Sequence, residues 1–280
     1  MKRILIAAMI VVLTLSACGN SQYDDGQADP GSGGRGSVDI ISDFNRFAKE
    51  ADNPSDVKER LDLLMENTDT EHSDILVREY LDYLAQVLAS SKAYEKESME
   101  KAGFKFISSE GLEQMVIDYH FMDAYSEKLS PEMIDFKEFM VLNSDQPWAV
   151  AGSLVITHSQ LADRIVLGEK FLTSYPGSAV REPVQTQYRY YLRSFLAGVD
   201  NTPLVPNDTD TVDMEFIRAF EDFLENYPEL ISAESVKALL SELEANDYQV
   251  PYRYGDTDKK AAFHSRIDQL VDAAESKLGL

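Results

Sequence analysis

The sequence predicts an all-α protein built of antiparallel helical hairpins, either stacked as a solenoid or gathered as an irregular bundle. Three observations carry that prediction. From Val38 to the C-terminus the apolar residues recur with a period near 3.6. Pro, Gly and short polar residues punctuate the pattern at helix-length intervals, where caps and exits belong. No segment alternates convincingly with a period of two.

Each element follows from local chemistry. Ile40, Ile41, Phe44 and Phe47 form one apolar face behind Ser37. Asn53-Pro54 reads as N-cap and first helical residue, leading into Val57, Leu61, Leu64 and Met65. Ser73 opens a longer helix through Ile75, Leu76, Tyr80, Leu84, Val87 and Leu88, which Gly103 closes. Phe104 to Ile107 is a short apolar connector, and Leu112, Met115, Val116, Tyr119 and Met122 share one helical face. Ser130-Pro131-Glu132 starts another helix. Pro147-Trp148 begins one that reaches about residue 157, and Ser159 begins one carrying Leu161, Ile165, Gly168, Phe171 and Leu172. A helix over 179–197 ends at Gly198. A loop of about fourteen residues follows, long for a helical array, and the last helices are expected at 212–226, 232–246 and 257–278.

One phrase is repeated inside the body. Phe171-Leu172-Thr173-Ser174-Tyr175-Pro176 recurs as Phe223-Leu224-Glu225-Asn226-Tyr227-Pro228, each copy ending an amphipathic helix. Proline forces the exit and tyrosine packs at the corner. The phrase resembles the F-L-x-x-Y-P-x-S corner of tetratricopeptide-type repeats in bacterial envelope lipoproteins, those of the outer-membrane barrel-assembly machinery and of the Tol–Pal coordinator. Phe171, Leu172, Tyr175, Pro176 and Ser178 match it, and the second copy matches through Pro228. The resemblance covers residues 145–245 and implies a TPR-like helical-repeat body. It departs at Gln187, Tyr188 and Arg189, where the family has Trp, Leu and Gly. The copies also stand further apart than the 34 residues of a tetratricopeptide repeat. An irregular bundle that reuses a helix-ending phrase is the alternative.

The N-terminus is of a different kind. Lys2 and Arg3 precede an apolar run from Ile4 to Leu13, too short to span a bilayer and proportioned as a secretory signal. The run leads through Leu15-Ser16-Ala17 to Cys18. This resembles the lipobox of bacterial lipoproteins, which implies cleavage after residue 17 and acylation of Cys18 with diacylglycerol and palmitate-type chains. Cys18 is the chain's only cysteine, so no disulfide forms within one chain. The expected organisation is therefore a signal peptide over 1–17, a lipidated cysteine and flexible tether over 18–37, and an all-helical domain over 38–280. The tether is Gly-rich and polar, with a root-mean-square reach of roughly 25 Å. Gly19 in place of Asp implies an outer-membrane position facing the periplasm if the source has two membranes.

Charge narrows the function classes. A formal net charge of −23 repels nucleic acid and anionic membrane surfaces, so membrane affinity has to come from the lipid. No non-lipid cofactor or metal site is expected. His72, His120, His158 and His264 fall outside any paired-ligand pattern. There is no G-x-S-x-G and no phosphate-cradling glycine loop. Glu-Ser pairs at 97–98, 234–235 and 275–276 match only one element of lytic transglycosylases, whose following Gly-Leu-Met-Gln-type segment is absent. Residues 207–213 lack the mid-loop Gly and distal Glu of a calcium loop, so helix capping is the better account.

One cluster suggests binding. Tyr188, Arg189, Tyr191 and Arg193, with Tyr252, Arg253 and Tyr254, concentrate aromatic groups and positive charge in an acidic chain. Tyr188, Tyr191 and Leu192 equally form a core stripe, with the arginines pairing surplus carboxylates. The expectation is a non-enzymatic, lipid-anchored envelope protein that docks another envelope protein or peptide in a helical-repeat groove. The alternative is a ligand-binding lipoprotein that captures a glycan, peptide or small solute.

Overall fold

A computed structural model describes residues 35–280 except 91, 110–111, 208 and 253–255. The expected signal peptide, Cys18 and nearly all of the expected tether lie outside the described residues. The protein is all-α, with ten α-helices, one 3₁₀ helix and three short antiparallel strand pairs among the described residues. No described helix is long and apolar enough to cross a membrane. The chain divides into two compact units, the first ending at Ser130 and the second spanning Pro131–Leu280, where the sequence suggested one helical body.

The first unit comprises α1 (Arg35–Glu50), α2 (Pro54–Met65), α3 (Thr70–Ala89), α4 (Lys96–Lys101), β1 (Phe104–Ser109), β2 (Leu112–Ile117) and the 3₁₀ helix Tyr119–Tyr125. Its core is the stripe predicted by periodicity: Phe44, Val57, Leu61, Leu76, Tyr80 and Leu84 are fully buried. Tyr80 satisfies its phenol by donating 2.6 Å to the Ala102 carbonyl. Asp69 caps α3, accepting from the His72 amide at 3.0 Å, four residues before the serine expected to open it. Lys128 donates to the Glu66 carbonyl at 2.7 Å and thereby closes the end of α2.

The structure corrects the helix expected from Leu112 to Met122. Leu112–Ile117 pairs with Phe104–Ser109 in a hairpin with Phe104 opposite Ile117 and Phe106 opposite Met115. The Phe-Lys-Phe-Ile alternation and the β-branched Val116-Ile117 pair suit a half-buried ribbon. The apolar spacing at 112, 115, 116 and 119 is compatible with a helix only when the partner strand is ignored.

The second unit comprises α5 (Pro131–Asp145), β3 (Ala149–Val150), β4 (Ser153–Leu154), α6 (His158–Ser174), α7 (Arg181–Ala197), β5 (Gly198–Val199), β6 (Thr202–Pro203), α8 (Met214–Asn226), α9 (Ile231–Glu244) and α10 (Thr257–Lys277). The helix expected after Pro147 is instead the β3–β4 hairpin. Its tip is held by the next hairpin, since Asn201 N donates to the Gly152 carbonyl at 2.7 Å and Leu154 N to Thr202 Oγ1 at 3.1 Å. The long connection after α7 is packed too: Leu204 and Val205 are buried, and Val250 N donates to Asp210 O at 2.8 Å. Gly198 closes α7 as expected. Its φ of +72° and ψ of −164° belong to glycine, and an added Cβ would stand 2.2 Å from the Thr202 carbonyl oxygen.

Contacts give the helix directions. Phe136 meets Phe171 at 6.4 Å while Phe139 lies against Gly168, so α5 and α6 are antiparallel. His158 packs on Phe216 at 4.4 Å and Asp163 accepts from Tyr227, so α6 and α8 run parallel. The two copies of the repeated phrase adopt the same corner. Tyr175 (φ −126°, ψ 64°) and Tyr227 (φ −135°, ψ 46°) each donate their amide to the Phe four residues back at 2.9 Å. Each phenol then reaches an earlier helix, Tyr175 to Asp135 on α5 at 2.7 Å and Tyr227 to Asp163 on α6 at 3.1 Å. Helix α10 lies antiparallel to both α7 and α9, its direction fixed by Arg193–Asp268 on one side and by Ser235 Oγ donating to Leu270 O on the other.

Candidate functional site

The structure divides the Tyr–Arg cluster of α7 between two faces, the tyrosines toward α5 and α6 and the arginines toward α10. Tyr188 and Tyr191 are fully buried. Burial raises the pKa of both phenols, with Glu169 adding to the shift at Tyr188 and Arg164 opposing it at Tyr191. Tyr191 packs edge-on between Phe139 and Trp148 at 5.9 and 6.2 Å. These two tyrosines are core, not surface, because α7 is flanked on one face by α5 and α6 and on another by α10.

The arginines face outward and are engaged. Arg189 is bound by Glu275 and, at 2.7 Å, by Asp272; Arg193 donates to Asp268 at 2.7 Å. Arg189 and Arg193 stand one turn apart, as do Asp268 and Asp272, so the two ladders match on antiparallel helices. The acidic spacing on α10 was the available signal that the arginines serve a seam. Arg181 is a structural residue as well, donating to Leu172 O and Leu278 O at 2.7 Å and so closing the ends of α6 and α10 together.

Tyr252 is buried and packs on Phe263 at 5.7 Å, while Arg253 and Tyr254 lie outside the described residues, as does Cys18, where lipid attachment is expected. Tyr252 thus supports the wall of a cleft that the sequence did not reveal. Arg266 donates Nε to Glu242 Oε1 at 2.9 Å, and Glu242 lies two residues before α9 ends. Helix α10 begins nine residues earlier, so its first turns run past the end of α9 by about 10 Å. The cleft under this overhang has a volume of about 540 Å³ and is lined by Leu243, Pro251, Ala262 and Phe263, with Lys259, Glu242 and Arg266 at its charged positions. No motif marks these residues; only the stretch Tyr252, Arg253 and Tyr254 pointed to the region.

The groups that suggested chemistry are occupied structurally. Of the three Glu-Ser pairs, Glu97 binds Lys101, Glu234 binds Lys277 and Glu275 binds Arg189. Asp213, in the stretch weighed as a calcium loop, caps α8 by accepting from Glu215 N at 2.9 Å. Glu169 is buried on α6 and takes the place of a local cap for α9: it accepts from Ser232 N at 2.9 Å, from Ile231 N at 2.5 Å and from the Tyr188 phenol at 3.2 Å. Arg164, also buried, donates to Gln146 O at 2.8 Å beyond the end of α5 and lies 5.6 Å from the Tyr191 ring centre. His158 and His264 are half-buried and held below their ordinary pKa by burial.

Compared with known proteins, the chain matches no family, no curated protein and no solved structure.

Proposed function

We propose that the chain is a lipid-anchored protein of the cell envelope that acts, without catalysis, as a docking scaffold for another envelope protein or peptide. The membrane is reached through an acyl group on Cys18, and the second unit serves as a TPR-like module. The observation that supports this reading best is the parallel pair α6 and α8, tied by the Tyr227–Asp163 contact. Their exposed residues include Asp163, Leu167 and Lys170 on α6 and Met214, Arg218 and Glu221 on α8. Leu167 and Met214 are 42% and 46% exposed among these charges, a mixture suited to a reversible protein contact rather than to a core. This face replaces Tyr188 and Tyr191 as the expected contact surface.

The test is site-specific photo-crosslinking in intact cells from Leu167 and Met214, with exposed Lys237 on α9 as the control position. The reading expects one recurrent adduct from the first two positions only, lost when Leu167→Arg is placed beside the Met214 probe. Equal labelling from all three positions, or none, rejects it. Cys18→Ser is expected to release the protein from the membrane fraction. A second reading, capture of a small ligand, is favoured by the cleft against Phe263.

A further inference from the structure

We infer that the cleft between α9 and the overhanging start of α10 binds a small anionic amphiphile, an alkyl or aryl chain carrying one carboxylate. This inference does not rest on the docking reading, since the cleft is formed by different helices from the α6–α8 face.

Size and lining set the apolar part. A volume of about 540 Å³ lies within the usual range for small-molecule sites. Leu243 is buried at its base, and Phe263 is braced from behind by Tyr252 at 5.7 Å, so both keep their shape without a ligand. Pro251 fixes the backbone of the facing loop, and Ala262 leaves room where a larger side chain would close the cleft. Leu243 and Phe263 offer an apolar surface for a chain or ring, with Asn246 and Gln249 as the uncharged polar groups of the lining.

Charge sets the head group. The ionic lining consists of Lys259, Arg266 and Glu242, one positive charge in excess, in a protein whose net charge is −23. Arg266 spends Nε and one terminal nitrogen on Glu242, and this contact holds its guanidinium in place. Lys259 is the more adaptable cation, with its side chain 66% exposed and its nearest carboxylate, Asp256, 4.0 Å away. A ligand carboxylate beside Lys259 gains a charge-assisted hydrogen bond while its chain lies on Leu243 and Phe263. A dianion or a phosphate cluster would find too little positive charge, and a cationic amphiphile would meet Lys259.

The experiment is photo-labelling of the full-length protein with a diazirine-bearing decanoic acid, with adducts mapped by mass spectrometry. The expected result is adducts on residues 242–251 and 259–266 that unlabelled decanoate competes away. Ala262→Trp, at an exposed helical position and therefore compatible with folding, is expected to abolish them. Lys259→Glu is expected to reduce labelling about tenfold at low salt and less at high salt. Adducts scattered over the chain, or unchanged in Ala262→Trp with its far-ultraviolet circular dichroism intact, would overturn the inference. Equal labelling by the corresponding diazirine alcohol would overturn the head-group assignment.

Discussion

Glu169 offers the sharpest test of how the second unit is held together. Its carboxylate is 2% exposed and accepts from two backbone amides at the start of α9 and from the Tyr188 phenol. Leu230, at the N-cap of α9, supplies no side-chain oxygen, so the first turn of that helix depends on a residue far earlier in the chain. Hydrogen bonds to an ionised acceptor contribute about 1.5–3 kcal/mol each, and removing the acceptor leaves buried donors unpaired. Glu169→Ala is therefore expected to cost about 4 kcal/mol, and Glu169→Gln, which keeps the volume and one acceptor, about 2 kcal/mol. For a unit of this size each kcal/mol moves Tm by about 2–4 °C, so the alanine variant should melt roughly 8–16 °C lower. Thermal circular dichroism measures the loss, and hydrogen exchange at the Ile231 and Ser232 amides locates it. A shift under about 2 °C, or a larger one without faster exchange at those amides, refutes the cross-helix cap.

Three further outcomes follow from named contacts. Gly198→Ala should destabilise by about 3 kcal/mol or more, because the backbone angle is closed to L-residues and the new Cβ meets the Thr202 carbonyl; chemical denaturation measures it. Tyr191→Phe should stay within about 1 kcal/mol of the parent, since the buried phenol has no hydrogen-bond partner among the described residues, whereas Tyr191→Ala should cost about 3–5 kcal/mol by leaving a cavity. His158 and His264 have folded-state pKa values below the unfolded one, so the unfolded chain binds the extra protons. Their contribution is complete above about pH 6.5 and is lost as the pH falls through their folded values. Tm measured from pH 7.5 to 5 should decline in that window, and the decline should be shallower in His158→Phe and His264→Gln.

Local chemistry made much of the fold legible. Pro54 and Pro131 begin helices where a missing N–H costs nothing, Gly198 ends one, and Asp213 caps another. The paired Phe-Leu-x-x-Tyr-Pro corners also read correctly as helix exits, because their angles are set within six residues. What failed were the segments whose state depends on a distant partner. Residues 112–117 share a helical stripe with 119 and 122, yet pair with 104–109 in a ribbon. Residues 147–157 form a hairpin held by contacts from Asn201 and Thr202, some fifty residues further along the chain.

The candidate site shows the same division. By itself the sequence determined which residues are amphipathic, where several helices start or stop, as at Pro54, Pro131 and Gly198, and that Tyr188, Arg189, Tyr191 and Arg193 lie on one helix. Only the tertiary structure decided that the tyrosines are core and that the arginines meet Asp268, Asp272 and Glu275. It also decided that a cleft opens beside Phe263 and that Leu167 and Met214 stay outside. Periodicity fixes which face of a helix is apolar, a matter of residues three and four apart. Which helix covers that face, and where one runs past its neighbour to leave a gap, is settled by packing between segments far apart in the chain, and no local spacing encodes it.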